Sequence, residues 1–401
     1  MNILIITHYY WPENFQINEI TNHLSKKVNR VSVLTGKPNY PTGSYYKGYN
    51  FFNRNFEKLN NISIYRVPVL TRGAGSSLRL IINWVSFAFL AVFRVLGMNE
   101  KFDKIFVYQP SPFTVALPAL IAKAKFKAKI YFWVQDIWPE TLSAAGGIKN
   151  KILLSLVNWF VVFTYNRCEK VLVQSKAFIP KIHQQGISKS KIFYLPNTTE
   201  NFYKPLTANK KKLRLLPQGF KIMFAGNIGE AQNLEMIIDV AEILVKKKVK
   251  VNWIILGDGR RKSNLIKKIN DKDLSKFFSF LGAFPPQEMP YYFSCADMLL
   301  VSLKKDPIFS ITIPNKVQSY MACGKPIIGS LGGEGKRIIE EAECGLVAEP
   351  NNSLLLAQKI LEFKSLSNAE RLEMGKNARK YFENEFESEK QINKLIGLLG
   401  N

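Results

Sequence analysis

Apolar runs of five or six residues rich in Ile, Val, Leu and Phe recur down this chain, and helical spacing fills the gaps between most of them. In the first half the runs are Ile3–Thr7, Arg30–Thr35, Ile62–Val67, Lys104–Tyr108, Lys129–Val134, Lys170–Gln174 and Lys191–Leu195, with Asn14–Lys27 spaced as a helix. Strands that are apolar on both faces need cover on both sides, and a parallel sheet wound with helices supplies it. The pattern then stops. Pro196–Gly219 carries three prolines, a Lys run and no apolar period, so it reads as a linker. Beyond it the pattern restarts, with strands at Lys221–Ala225, Val251–Leu256, Phe278–Leu281, Met298–Ser302 and Pro326–Ser330 and helices over Asn233–Lys247 and Asn315–Ala322. The expected fold class is α/β, built from two doubly wound domains: 1–200, a linker at 201–217, and 218–382.

The 401 residues, 47% of them hydrophobic, suffice for two cores. The charge is less ordinary. Lys plus Arg number 56 and Asp plus Glu 31, a net +25. Such a balance favours an anionic partner, or else reflects lysine-rich solvated faces. Cys168, Cys295, Cys323 and Cys344 form no CxxC and lie far in sequence from His8, His23 and His183, which argues against a zinc site and for a reducing compartment. MNILIITHYYWPEN has no basic lead-in, so it reads as a first strand and not as a signal peptide. The longest apolar stretch, Leu80–Leu96, is interrupted by Asn83, Ser86 and Arg94. It falls short of the roughly 20 residues of a spanning helix and reads as a buried or interfacial one.

In open parallel sheets, ligands bind beyond the carboxyl ends of the strands, near helix N-termini. After Lys221–Ala225 comes Gly226-Asn227-Ile228-Gly229, and after Val251–Leu256 comes Gly257-Asp258-Gly259-Arg260-Arg261-Lys262. Glycines there let backbone N–H groups approach a phosphate, although either run also serves as a plain strand-to-helix turn. Ile313-Pro314-Asn315-Lys316 opens a helix, whose positive N-terminus together with Lys316 suits a diphosphate; the plainer reading is a surface lysine. In the first half, Asp136 in Gln135-Asp136-Ile137-Trp138-Pro139-Glu140 follows a strand, where it can hold a substrate hydroxyl or cap a turn. His8-Tyr9-Tyr10-Trp11-Pro12-Glu13-Asn14 follows the first strand, and its aromatics can stack on a sugar or pack an interface.

Together with Leu195-Pro196-Asn197 and Tyr320-Met321-Ala322-Cys323-Gly324-Lys325-Pro326-Ile327-Ile328, these segments resemble the group-1, family-4 glycosyltransferases of GT-B fold along nearly the whole chain. Within that family the chain is similar to the bacterial O-antigen and capsule branch that handles N-acetyl-fucosamine. The resemblance implies two Rossmann-like domains facing a central cleft, with a terminal helix over 383–401 crossing back to the first domain. It implies retaining transfer from a nucleotide sugar, UDP-N-acetyl-fucosamine or a related UDP-N-acetyl-hexosamine, to a lipid-diphosphate-linked saccharide, with no cofactor and no metal. The roles that follow are catalytic for Lys316, Arg260 and Asp136. Donor binding falls to Gly226, Asn227, Gly229, Gln232, Gly257, Gly259, Lys262, Pro314, Asn315 and Ser319. The acceptor side falls to Trp11, Glu13, Asn14, Trp138 and Glu140.

The chain departs from the family in three places. Two glutamates eight positions apart are Ile311 and Ser319 here; the usual Arg and Lys after the glycine-bearing strand are replaced by Asn227 and Gln232; and a His-Asp is Gln135-Asp136. Phosphate charge is therefore expected to rest on Lys316 and Arg260–Lys262. Ala122–Lys129 interleaves basic and apolar residues, and Arg72, Arg79 and Arg94 flank Leu80–Leu96. That arrangement suits peripheral attachment to the anionic cytoplasmic face of a bacterial inner membrane, with a cytoplasmic fraction besides. The rival readings are a sugar-nucleotide epimerase of the same fold and a nucleic-acid-binding protein. The second wants a basic stripe with a groove-reading element, and none is present.

Overall fold

A computed structural model describes residues 1–73, 77–142 and 150–400. The chain divides into two compact units, Met1–Pro196 with Glu389–Asn401, and Asn197–Ser388.

The first unit is built on a sheet of eight strands, β1 (Asn2–Ile6), β2 (Arg30–Gly36), β3 (Phe56–Leu59), β4 (Ile62–Val67), β5 (Lys104–Gln109), β6 (Lys129–Val134), β7 (Lys170–Val173) and β8 (Ile192–Tyr194). Their order is β3-β4-β2-β1-β5-β6-β7-β8, parallel except for β3, which pairs antiparallel with β4 at the edge. The strands expected from the apolar runs lie within two residues of those observed. The edge strand β3, FEKL, escaped that reading because it is short and half solvated. The central strands are buried on both faces, as their unbroken apolar sequences require.

One face is covered by α1 (Ile17–Lys27) and by the C-terminal helix Ser388–Gly400. From them Ile17, Ile20, Leu24, Ile392, Leu395 and Leu399 join Ile3, Ile5, Val31, Val33, Tyr131 and Trp133 in one core. Each such aliphatic side chain contributes roughly 2 kcal/mol by leaving water. Lys170 Nζ donates to Leu398 O at 2.8 Å, fastening the helix end. The other face carries α2 (Ser77–Leu96), α3 (Ala116–Phe126) and α4 (Lys151–Arg167). α3 lies between its neighbours, with Lys125 donating to the last carbonyls of α2 and Lys123 to Arg167 O at the end of α4. α4 sets Tyr165 edge-on to Phe132 of β6, at 5.5 Å between ring centres.

α2 corrects one expectation. Helix begins at Ser77, so Leu78–Leu96 gives 19 residues of mean hydropathy 1.7, enough by length and composition to cross a membrane. One side is nevertheless tied into the unit. Asn83 is fully buried; its Oδ1 accepts from His8 Nε2 at 3.0 Å and its Nδ2 donates to Leu70 O at 2.8 Å, beside buried Phe87, Ala91 and Val95.

The second unit has a six-stranded parallel sheet: β9 (Lys221–Ala225), β10 (Asn252–Leu256), β11 (Phe278–Gly282), β12 (Met298–Ser302), β13 (Ile327–Ser330) and β14 (Gly345–Ala348). The order is β11-β10-β9-β12-β13-β14, so connections run outward both ways from the β9/β12 pair. At that reversal two neighbouring loops leave in opposite directions, opening a crevice at the carboxyl ends. The boundary differs from the expected one. Residues 197–203 belong to this unit because Gln318 Nε2 donates to Asn197 O at 2.6 Å and Tyr203 stacks on Phe293. The expected linker contains the short helix Lys210–Arg214, capped by Asn209. The helix Asn368–Glu385 ends the second unit, so its last turn covers part of the stretch assigned to the returning helix. All four cysteines are free and buried.

Candidate functional site

The reversal between β9 and β12 coincides with a cavity of about 460 Å³, walled entirely by residues of the second unit. Two glycines shape its floor. Gly226 N donates to Leu256 O at 2.9 Å and Gly257 N to Gly282 O at 2.7 Å, so both strand ends turn tightly. Both have positive φ, 139° and 124°. A Cβ on Gly257 would lie 1.9 Å from Gly226 O, and one on Gly226 would lie 2.7 Å from Lys316 Cε. Only glycine lets the two turns and the lysine occupy the same small volume.

Lys316 stands in the first turn of the helix Asn315–Ala322, whose N-cap Pro314 offers no side chain to the free N–H groups. Tyr320 anchors that helix to the sheet by accepting from Ala225 N at 3.2 Å. The ammonium of Lys316 is 4.9 Å from the centre of the Phe224 ring. Burial pushes its pKa down to about 8, and no carboxylate among the described residues pairs with it. An uncompensated cation and a helix N-terminus on a glycine floor make a site for an anion. A separate groove of about 800 Å³ keeps, among the described residues, only the solvent-exposed Lys305 unpaired on its wall. Its Lys268, Lys272 and Lys304 are neutralised by Glu235, by Asp239 and Glu242, and by Glu230.

Of the donor-side residues expected from sequence, Gly226, Asn227, Gly257, Asn315, Lys316 and Ser319 line the cavity. Arg260, Lys262, Gly229, Gln232, Gly259 and Pro314 do not. Arg261 N donates to Ile228 O at 3.0 Å, which folds the second glycine turn against the first and leaves Arg260 exposed. Lys262 pairs with Asp258 and Arg261 with Glu230, so the expected Arg260–Lys262 cluster adds no free charge to the cavity. Gly229 caps the turn Glu230–Gln232, and Gly259 packs beneath Ile228 O. Gln232 is held against Gly229, its Oε1 buried without a partner. Sequence reading missed Thr199, Glu200 and Tyr203, which the Gln318–Asn197 bond brings to the wall, and Phe284, Met289 and Phe293, which make it apolar. Only the position of Leu195-Pro196-Asn197 after a strand end pointed toward the first three.

The first unit has the same outward winding, here from β1 and β5. Asp136 follows β6; burial pushes its carboxyl up to about 7. Trp11 is partly exposed, and Asn14 and Glu140 are exposed. Two acceptor-side expectations are corrected. Trp138 is 4% exposed, its ring edge-on to Trp84 and tilted against Phe113, so it has no face for a sugar. Glu13 is 1% exposed and accepts from the backbone N–H of Asn39, Tyr40 and Tyr10 at 2.8, 2.7 and 3.2 Å. Burial pushes its pKa up to about 7 against those donors, which favour the charged form. Its carboxylate thus joins the loops after β1 and β2. Glu13→Ala strands the buried donors of Asn39 and Tyr10 and the part-buried one of Tyr40, and is expected to lower stability by about 3 kcal/mol in denaturant unfolding, since an unmet buried donor costs about 1–3 kcal/mol. An unchanged midpoint would mean that water replaces the carboxylate. Among the described residues no group of three or more His, Cys, Asp or Glu side chains is placed to hold a metal ion.

Comparison with known proteins agrees with this geometry. Residues 207–381 match the family Glycosyl transferases group 1. The chain is 26% identical over 341 residues to the putative colanic acid biosynthesis glycosyl transferase WcaI of Escherichia coli (strain K12), covering 81% of this chain and 82% of that one. It is 27% identical to the amylovoran biosynthesis glycosyltransferase AmsK of Erwinia amylovora, over about half of each chain (48% and 47%). Among solved structures, Anabaena Alr3699/HepE in complex with UDP and glucose superposes over 100% of both chains with a TM-score of 0.70 at 15% identity. Sucrose-phosphate synthase from Thermosynechococcus elongatus gives 0.74 over 99% of this chain and 98% of that one, also at 15%. With two parallel-sheet units of this kind the chain has the GT-B fold, and 207–381, within its second unit, matches the family Glycosyl transferases group 1.

Proposed function

We propose that this chain is a retaining glycosyltransferase of bacterial surface-polysaccharide synthesis, of O-antigen or capsule type, as the group 1 match and the similarity to WcaI and AmsK support. The donor is UDP-N-acetyl-fucosamine or a related UDP-N-acetyl-hexosamine, and the acceptor a lipid-diphosphate-linked saccharide. The observation that carries the reading is Lys316, an ammonium without a carboxylate partner among the described residues, set at an uncapped helix N-terminus beside two glycine turns. Those groups match a diphosphate, and the apolar wall of Tyr203, Phe284 and Phe293 matches a flat base or a sugar face. UDP in the complex of the Anabaena protein supports the choice of nucleotide.

In this mechanism the bond from the sugar C1 to the diphosphate oxygen breaks while the acceptor hydroxyl bonds to C1 on the same face. The hydroxyl proton passes to a departing diphosphate oxygen. Lys316 and the first-turn N–H groups meet the charge that develops there. Asp136 accepts a hydrogen bond from another hydroxyl of the acceptor saccharide and so orients it, leaving the attacking hydroxyl's proton for the diphosphate. No step needs a metal, so a chelator leaves the rate unchanged.

The test is a panel of UDP-, GDP- and dTDP-sugars with a short lipid-diphosphate-GlcNAc acceptor. Transfer is expected from a UDP-N-acetyl-hexosamine, with anomeric configuration kept. Consumption of donor without acceptor would make the protein an epimerase or a hydrolase instead.

A further inference from the structure

We infer that α2, α3 and α4 form a surface that inserts into an anionic lipid bilayer lying flat against this face of the first unit. α2 turns Leu78, Ile82, Val85, Phe89, Phe93 and Leu96 outward, all exposed, on the side away from buried Asn83 and Phe87. The spacing of three and four residues makes them one stripe. α4, which sequence reading passed over, adds exposed Ile152, Leu156 and Trp159, the last 63% exposed. Both helices therefore carry large apolar side chains out of the same face of one sheet, with α3 between them. Large apolar side chains gathered in an exposed stripe mark a surface that meets a partner.

Charge selects the partner. Ser77–Leu96, Ala116–Phe126 and Lys151–Arg167 contain no Asp or Glu, while Arg79, Lys125, Lys151 and Arg167 are exposed on them. In a symmetric dimer through this face, cations would meet cations. Against anionic headgroups the same cations are attracted, and the apolar side chains enter the acyl boundary. The buried contacts of Asn83 with His8 and Leu70 hold α2 along the unit, so the helix lies in the interface and does not cross it. This face stands on exposure and charge alone; the lipid-linked acceptor proposed above supplies its purpose.

The test uses the full chain with phosphatidylcholine vesicles, with and without phosphatidylglycerol. Sedimentation is expected with the anionic vesicles and to persist in part at high salt, because apolar insertion is not screened. Phe89→Asp and Trp159→Asp are each expected to lower partition by roughly tenfold or more, the scale of keeping one large side chain in water. Lipids brominated near the headgroup are expected to quench Trp159 fluorescence in the unaltered protein, and Trp159→Phe to abolish that quenching, a readout that needs no disruptive change. Absence of binding, binding unaffected by either aspartate, or a dimer that the aspartates dissociate would each overturn the inference. UDP binding measured on the same variants reads the donor site separately. Its failure in the unaltered protein would sink the donor reading and leave the membrane face intact.

Discussion

Lys316→Met is expected to make the free protein more stable and the enzyme at least tenfold slower. The two effects have one cause. Burial has lowered the ammonium's pKa from 10.5 to about 8, so the folded chain holds a cation that prefers water. A base with a depressed folded pKa destabilises the fold wherever it is charged in both states, that is below about 8. The loss is regained as pH rises from about 8 to 10.5. Methionine keeps the length, removes the charge, and should return on the order of 2 kcal/mol at neutral pH. The same charge is needed when diphosphate departs, and losing one charge-assisted contact costs about tenfold or more in kcat. Thermal unfolding of the free protein and steady-state kinetics on one preparation test both signs. A variant that is slower and also less stable would make Lys316 a structural residue; one with unchanged kcat would remove it from the site.

Transfer should follow a bell-shaped dependence on pH, rising through about 7 and falling through about 8. Desolvation raises Asp136 to about 7, so its carboxylate accepts from that hydroxyl of the acceptor saccharide only above that pH. Deprotonation of Lys316 through about 8 removes the cation that meets the leaving group. Bound diphosphate favours the charged amine, so the falling limb of kcat should lie at higher pH than that of kcat/KM. Asp136→Asn should lower kcat by roughly tenfold or more, the scale of losing one charge-assisted contact, and erase the rising limb. UDP affinity should stay the same, because every wall of the donor cavity belongs to the second unit. Glu13 also titrates near 7, but its oxygens are occupied by three backbone donors, so its ionisation should appear in stability and not in kcat. A rising limb that survives in Asp136→Asn would move the assignment to another group.

The two windings were legible in the residues because a strand buried on both faces must be apolar along its buried length, as in Ile130–Val134 of β6 and Met298–Val301 of β12. Edge strands carry no such demand, which is why FEKL and GLVA went unread. The glycines after β9 and β10 and the Pro314–Lys316 helix start were legible for a related reason: tight turns and helix starts have local chemistry, and the sheet order then sets them side by side. Local chemistry does not say where a long side chain ends. Arg260, Arg261 and Lys262 read as an anion cluster, yet the turn is held against Ile228, leaving Arg260 in solvent and the other two paired with carboxylates. Trp138 and Glu13 read as ligand groups, and packing against Trp84 and three backbone donors claimed them. Glu200 and Tyr203 became wall residues only through Gln318, more than a hundred positions away. Sequence by itself thus determined the backbone architecture and the lysine at a helix start, because both follow from neighbours along the chain. Which charges remain uncompensated, and which apolar side chains remain uncovered, was decided by tertiary structure, because neutralisation and burial depend on partners distant in sequence.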